Sequence, residues 1–195
     1  MVLGRVLLIA VVTTGCSQSL FDSHGTTGSG SSGDDAAVPA TCQAPCVGDA
    51  AADFDGTAAG TTGNWRYLDD HRDRTWTAMT PAADAMTGAD PANAITTCTA
   101  QPDAPVCQLL PGALLVSSSG STSPADPAVE LTVATAQVVQ VSVLARVPDG
   151  EPPQQIRLYR NSREDVLFTG IAAPGSTLEN AITLDALAGD RFLVA

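Results

Sequence analysis

From Pro124 to the end of the chain, apolar and polar positions alternate. In QVVQVSVLARV, Val139, Val141, Val143, Ala145 and Val147 fall on one face, while Gln140, Ser142 and Arg146 fall on the other. That period of two is the mark of a half-buried strand. VELTV precedes it, and PDGEPP turns the chain into QIRLYR, where Ile156 and Leu158 point inward and Arg157 and Tyr159 outward. DVLFTGIA, AITLDAL and DRFLVA continue the series. Strands recurring about every 8–12 residues, with turn clusters between them, predict an all-β sandwich or barrel. No helical segments alternate with these strands, which argues against a doubly wound α/β fold.

The pattern is weaker between Ala50 and Gly120, where turn signals such as DG, TGADP and QPDAP separate short apolar pieces, NWRYL, TWTAM and VCQLL. Ahead of that region, Ser17 to Ala40 is dominated by Gly and Ser and has no apolar period, the composition of a flexible tether. A tether of that length spans on the order of 27 Å, enough to hold a folded module clear of lipid headgroups. The chain closes on AGDRFLVA, inside an apolar strand, and the reading is of a sandwich over residues 41–195 truncated there, a piece of a longer protein.

The first residues, MVLGRVLLIAVVTTGCSQ, combine a positive Arg5, a short apolar run from Val6 to Val12, and small residues before Cys16. This is the pattern of an export signal with a cleavage site, and the run is far shorter than the roughly 20 residues a transmembrane helix needs. Gly15 followed by Cys16 makes the segment resemble a bacterial lipoprotein signal. The resemblance implies that residues 1–15 are removed and that Cys16 becomes a lipidated N-terminus, with residues 16–40 as tether. It also implies the lipid bilayer as a partner through that lipid, in the cell envelope at the outer membrane or cell surface. Two or more acyl chains anchor stably where one does not.

The chain has five cysteines, and assigning Cys16 to lipid leaves Cys42, Cys46, Cys98 and Cys107. In an oxidising compartment these make two disulfides, with three pairings open. The local pairs Cys42–Cys46 and Cys98–Cys107 are favoured because each closes a short loop. A zinc site built from all four cysteines is disfavoured because the spacings lack the usual paired short form.

Composition narrows the partners further. The formal net charge is −12, which argues against a nucleic-acid partner, since phosphate binding needs a basic face. All 9 basic residues are Arg, and with abundant Ala, Gly and Pro this reads as a high-GC bacterial composition. With hydrophobic residues at 44% and aromatics at only 4%, alanine carries much of the apolar content and each large ring matters.

Both tryptophans lie in GNWRYLDDHRDRTW, and Trp65, Tyr67, Asp69, Asp70, His71, Arg72 and Trp76 are the candidate ligand-binding residues. On a strand, Trp65 and Tyr67 share a face and Arg66 takes the other. A sandwich so poor in aromatics needs a large anchor, so Trp65 and Trp76 are expected in the core. The sharper reading leaves one ring exposed as a platform for the apolar face of a sugar, with LDDHRDR supplying hydrogen bonds. A catalytic reading needs a nucleophile or paired carboxylates placed by supporting groups, and the stretch reads instead as a solvated turn of alternating Arg and Asp. No catalytic fingerprint is present, and His71 has no second histidine outside the tether to share a metal. DFDG, Asp53 to Gly56, hints at a calcium loop but lacks its series of oxygen ligands. No metal, cofactor or catalytic residue is assigned.

Two regions resemble a family. ADFDGTAAGTTGNWRYL, with Phe54, Thr57, Gly60, Trp65 and Tyr67, resembles the opening of extracellular bacterial jelly-roll modules, and the strands VSV, IRLYRN and LAGDRFLV resemble their closing half. Such modules are similar to galactose-binding-type and carbohydrate-binding β-sandwiches. The resemblance implies a jelly-roll-like antiparallel β-sandwich with a non-catalytic role in binding glycan or another extracellular polymer. The alternatives are a structural spacer or adhesion module without a small ligand, and an accessory domain of a larger secreted hydrolase.

Overall fold

The computed structural model describes residues 5–15, 46–56, 61–62, 64–71, 75–110, 112–118 and 125–195. Cys16, the tether, Cys42 and Arg72 lie outside these residues. The strands are β1 (Arg5–Gly15), β2 (Cys46–Asp49), β3 (Thr61–Thr62), β4 (Trp65–His71), β5 (Trp76–Ala78), β6 (Thr80–Ala82), β7 (Ala85–Thr87) and β8 (Ala94–Thr97). They continue as β9 (Leu114–Ser118), β10 (Ala125–Thr132), β11 (Gln137–Arg146), β12 (Gln154–Arg160), β13 (Ser162–Ala172), β14 (Thr177–Ala186) and β15 (Arg191–Val194). One 3-10 turn covers Pro105–Gln108, and there is no α-helix among the described residues.

The strands form two antiparallel sheets. The first runs β14-β11-β1-β9-β8-β7-β6, with β2 alongside β1. The second runs β13-β12-β15-β10-β4-β3, with β5 alongside β4. Alternation places one face of each sheet in a shared core. Val139, Val141, Val143, Ala145, Leu114 and Ile95 come from the first sheet, and Trp65, Tyr67, Val129, Leu131, Ile156, Leu158 and Phe192 from the second. The described residues therefore form an all-β, sandwich-like fold, one of the two forms that the period-two pattern after Pro124 predicts. The short strands β3 to β8 fill the region where no clear period was legible.

Close approach, not propensity, fixes two glycines. A side chain at Gly48 would meet the Trp65 indole at 2.8 Å, and one at Gly88 would run into the Asp69 carboxylate. Both keep space for a buried side chain of β4.

The outer face of the first sheet is covered differently from the core. Cys98 and Cys107 form a disulfide, and with Leu110 and Ala113 they pack on Leu115 and Leu144. This is the local pair favoured from spacing. Cys42 of its companion, Cys42–Cys46, lies outside the described residues.

The apolar run read as a leader is placed as β1, inside the first sheet. β11 lies on one side, from Leu8 opposite Arg146 to Gly15 opposite Val139. On the other side β9 pairs the first half, Arg5 to Ile9, and β2 the second, Val12 to Thr14. A short run of Val, Leu and Ile suits both uses, because export signals and buried strands select the same residues.

Candidate binding face on the second sheet

The register of the second sheet sorts the candidate residues. Tyr67, Val129 and Val194 lie in one row, and Arg66, Glu130 and Leu193 in the next. Trp65, Tyr67 and Asp69 thus face inward, while Arg66, Leu68 and Asp70 face outward.

Trp65 and Tyr67 are core residues, 1% and 0% exposed, and neither ring is open to a ligand. This corrects their candidacy, and the cause is the need for large anchors in an aromatic-poor sandwich. The Trp65 indole N–H donates to Asp53 Oδ2 at 3.0 Å, and the same oxygen accepts from the Asp49 N–H, so the first carboxylate of DFDG is engaged within the protein. Phe54 meets the Tyr67 ring edge-on at 4.9 Å, and the Tyr67 hydroxyl donates to the Ala50 carbonyl at 3.4 Å. Burial, then the nearby Asp53 and Asp55 charges, push the Tyr67 phenol well above its ordinary range.

Asp69 also leaves the surface. Its carboxylate accepts from the Ala89 backbone N–H at 2.8 Å and from Asn93 Nδ2 at 3.3 Å, and Asn93 also donates to the Ala125 carbonyl. It ties the loop after β7 to the sheet, a structural duty that explains why a carboxylate is tolerated at 2% exposure.

Asp70, His71 and Trp76 do meet on the outer face. Asp70 Oδ1 accepts from the Trp76 indole N–H at 2.6 Å and pairs with Arg163 of β13. The Arg163 guanidinium lies 5.9 Å from the centre of the Trp76 ring and donates to the His71 carbonyl at 2.6 Å. Burial lowers the Arg163 pKa against the opposing pull of Glu164, yet a guanidinium stays charged at neutral pH. His71 Nε2 lies 2.8 Å from Thr77 Oγ1. Trp76 is half-buried here, on a small apolar cluster of Leu68, Ala128, Tyr159 and Leu193, and is not part of the inner core expected of it.

A buried carboxylate organises the rest of this face. Glu130 is 0% exposed, pairs with Arg66 at 3.0 Å, and has Arg191 at 3.6 Å from its second oxygen. The two arginines are partly exposed, so the buried carboxylate meets their guanidinium groups at the water boundary.

Beside Asp70 the face opens into a cleft of about 190 Å³. Asp70, Asp126, Gln154, Gln155, Arg157 and Tyr159 line it, with Val116 and Ser118 of β9 at its first-sheet wall. Arg157 donates to Gln155 Oε1 at 2.6 Å and to the Tyr159 hydroxyl at 3.4 Å, a chain of polar groups along one wall. Carboxylates, amides, a guanidinium and a phenol are the groups that hydrogen-bond polyhydroxyl ligands. Of these, sequence reasoning selected only Asp70. Its one signal for the others was the outward parity of Arg157 and Tyr159 in QIRLYR.

No family model, no curated protein and no solved structure matches this chain. Among the described residues no helix is long and apolar enough to cross a membrane, which says nothing of strands.

Proposed function

We propose that this chain is an exported, non-catalytic envelope lipoprotein. In this reading residues 1–15 are its leader, Cys16 carries the lipid, and the sandwich is a jelly-roll module that binds glycan or another extracellular polymer. The observation that carries the binding reading is the cleft itself, where Asp126, Gln154, Gln155, Arg157 and Tyr159 converge beside Asp70 and Trp76. Binding sites of this kind combine a concave surface with a few convergent polar groups. The anchoring reading is supported by the lipobox-like Gly15–Cys16 step and the Gly/Ser tether behind it.

One observation favours the spacer reading. Asp70 is already held by Trp76 and Arg163, so the part of the face selected from sequence is satisfied within the protein. The two readings separate in one titration. The protein is mixed with a panel of bacterial and plant polysaccharides while tryptophan fluorescence is followed, with Trp76→Ala and Arg157→Ala as controls. Saturable shifts abolished by Arg157→Ala in a folded variant support the cleft. Flat titrations throughout leave the spacer as the function.

A further inference from the structure

Loss of the leader would take a central strand out of the first sheet. There β1 alone joins β11 to β9, and β2 pairs with β1 among the described strands. Removing residues 1–15 would part β14 and β11 from β9, β8, β7 and β6. Along Val139–Arg146 and Leu114–Ser118, the backbone N–H and C=O groups that face β1 would lose their partners, while those facing β14 and β8 keep theirs. Unpaired buried backbone groups and open edges are both costly, and an open edge is a template for another strand.

We propose that the slot between β9 and β11 is a strand-acceptor site, filled by Arg5–Gly15 in the precursor and, after processing, by an extended segment of a partner polypeptide. The inference rests on the proposed removal of the leader. The chemistry of the occupant is set by the flanking strands. Positions 7, 9, 11 and 13 of the seated strand stand in register with Val116, Leu114 and Ala145, Val143, and Val141. All of these are buried residues of the inner core. The occupant therefore needs apolar residues at every second position, paired antiparallel to both neighbours. Backbone pairing supplies the affinity and the alternate side chains the selectivity, as in other strand-addition complexes.

The test compares the full precursor made in the cytosol with the form recovered from the envelope, purified as a single chain. Mass spectrometry reads the N-terminus, and hydrogen exchange reads the β9 and β11 amides. The probe is a synthetic Arg5–Gly15 peptide, with a Val11→Pro version that loses a backbone donor at the centre of the slot. The expected result is an envelope form beginning at Cys16 in which those Val139–Arg146 amides that point away from β14 exchange fast alone and slow by about tenfold with the peptide, but not with its proline version. An envelope form that shows the precursor's protection without any peptide overturns the proposal, as does an equal or absent response to the two peptides. An envelope form that retains Met1 overturns it too, and the mass identifies this as a failure of the leader reading.

Discussion

The two faces of the second sheet use the same strands for opposite ends. The inner face holds Trp65, Tyr67, Val129, Leu131 and Phe192 against the first sheet, closed to water. The outer face has a smaller apolar patch, roofed by Trp76 and by charged side chains anchored on Asp70 and Glu130. A face closed by a second sheet is committed to stability. One closed by partly exposed guanidinium groups keeps hydrogen-bonding groups at the water boundary, where a ligand can compete for them. The difference lies in what covers each face, since the strands and their alternation are shared.

The sharpest way to break this comparison is at the two tryptophans. Trp65→Ala empties a core site and is expected to cost about 3–5 kcal/mol, read by chemical denaturation. Equal losses at Trp65 and Trp76 would show that the outer face is core after all. Asp190, at the turn into β15, is the next largest. Burial pushes its carboxyl up, but hydrogen bonds from Asn161, the Leu187 N–H and Arg160, with the Arg160 charge, outweigh this and leave its pKa lowered. A folded-state pKa below the unfolded one stabilises the protein above the ordinary carboxylate range and ceases to do so as pH falls through the folded value. Asp190→Asn should therefore cost about 1–3 kcal/mol at neutral pH, with the gap to the parent narrowing in acid. A gap that stays constant with pH would remove the carboxylate's charge from the account.

Trp76→Ala is expected to cost only about 1–2 kcal/mol, because its ring is half-buried and Asp70 keeps Arg163. The smallest stability effect belongs to Arg157→Ala, within about 0.5 kcal/mol, since the side chain is exposed on the cleft wall. Its effect is expected on binding, through the glycan titration. A large stability loss there would place Arg157 with the structural residues.

Alternation alone located the strands after Pro124 and the inward parity of Val139 to Val147, Ile156 and Leu158, because a half-buried strand imposes a period of two. Cysteine spacing favoured Cys98–Cys107, because a short loop brings its own ends together. The same local logic could not sort the candidates in WRYLDDH, where acidic residues on successive positions look alike. Asp69 turns out to brace a buried loop and Asp70 to hold Trp76 and Arg163. Ala89, Asn93 and Arg163 are far away in sequence, so no local pattern carries them.

The sequence by itself pointed to an all-β fold, to the buried face of Val139–Val147 and of Ile156 and Leu158, and to Cys98–Cys107 as a favoured pair, because each depends on neighbours a few residues apart. Only the tertiary structure decided that Trp65 is core while Trp76 roofs the outer face. It alone set Glu130 beneath Arg66 and Arg191, and gathered Asp70, Asp126 and Arg157 around one cleft. Those groupings come from strand order and register between distant segments, and strand order is fixed by how the sheets close over a shared core.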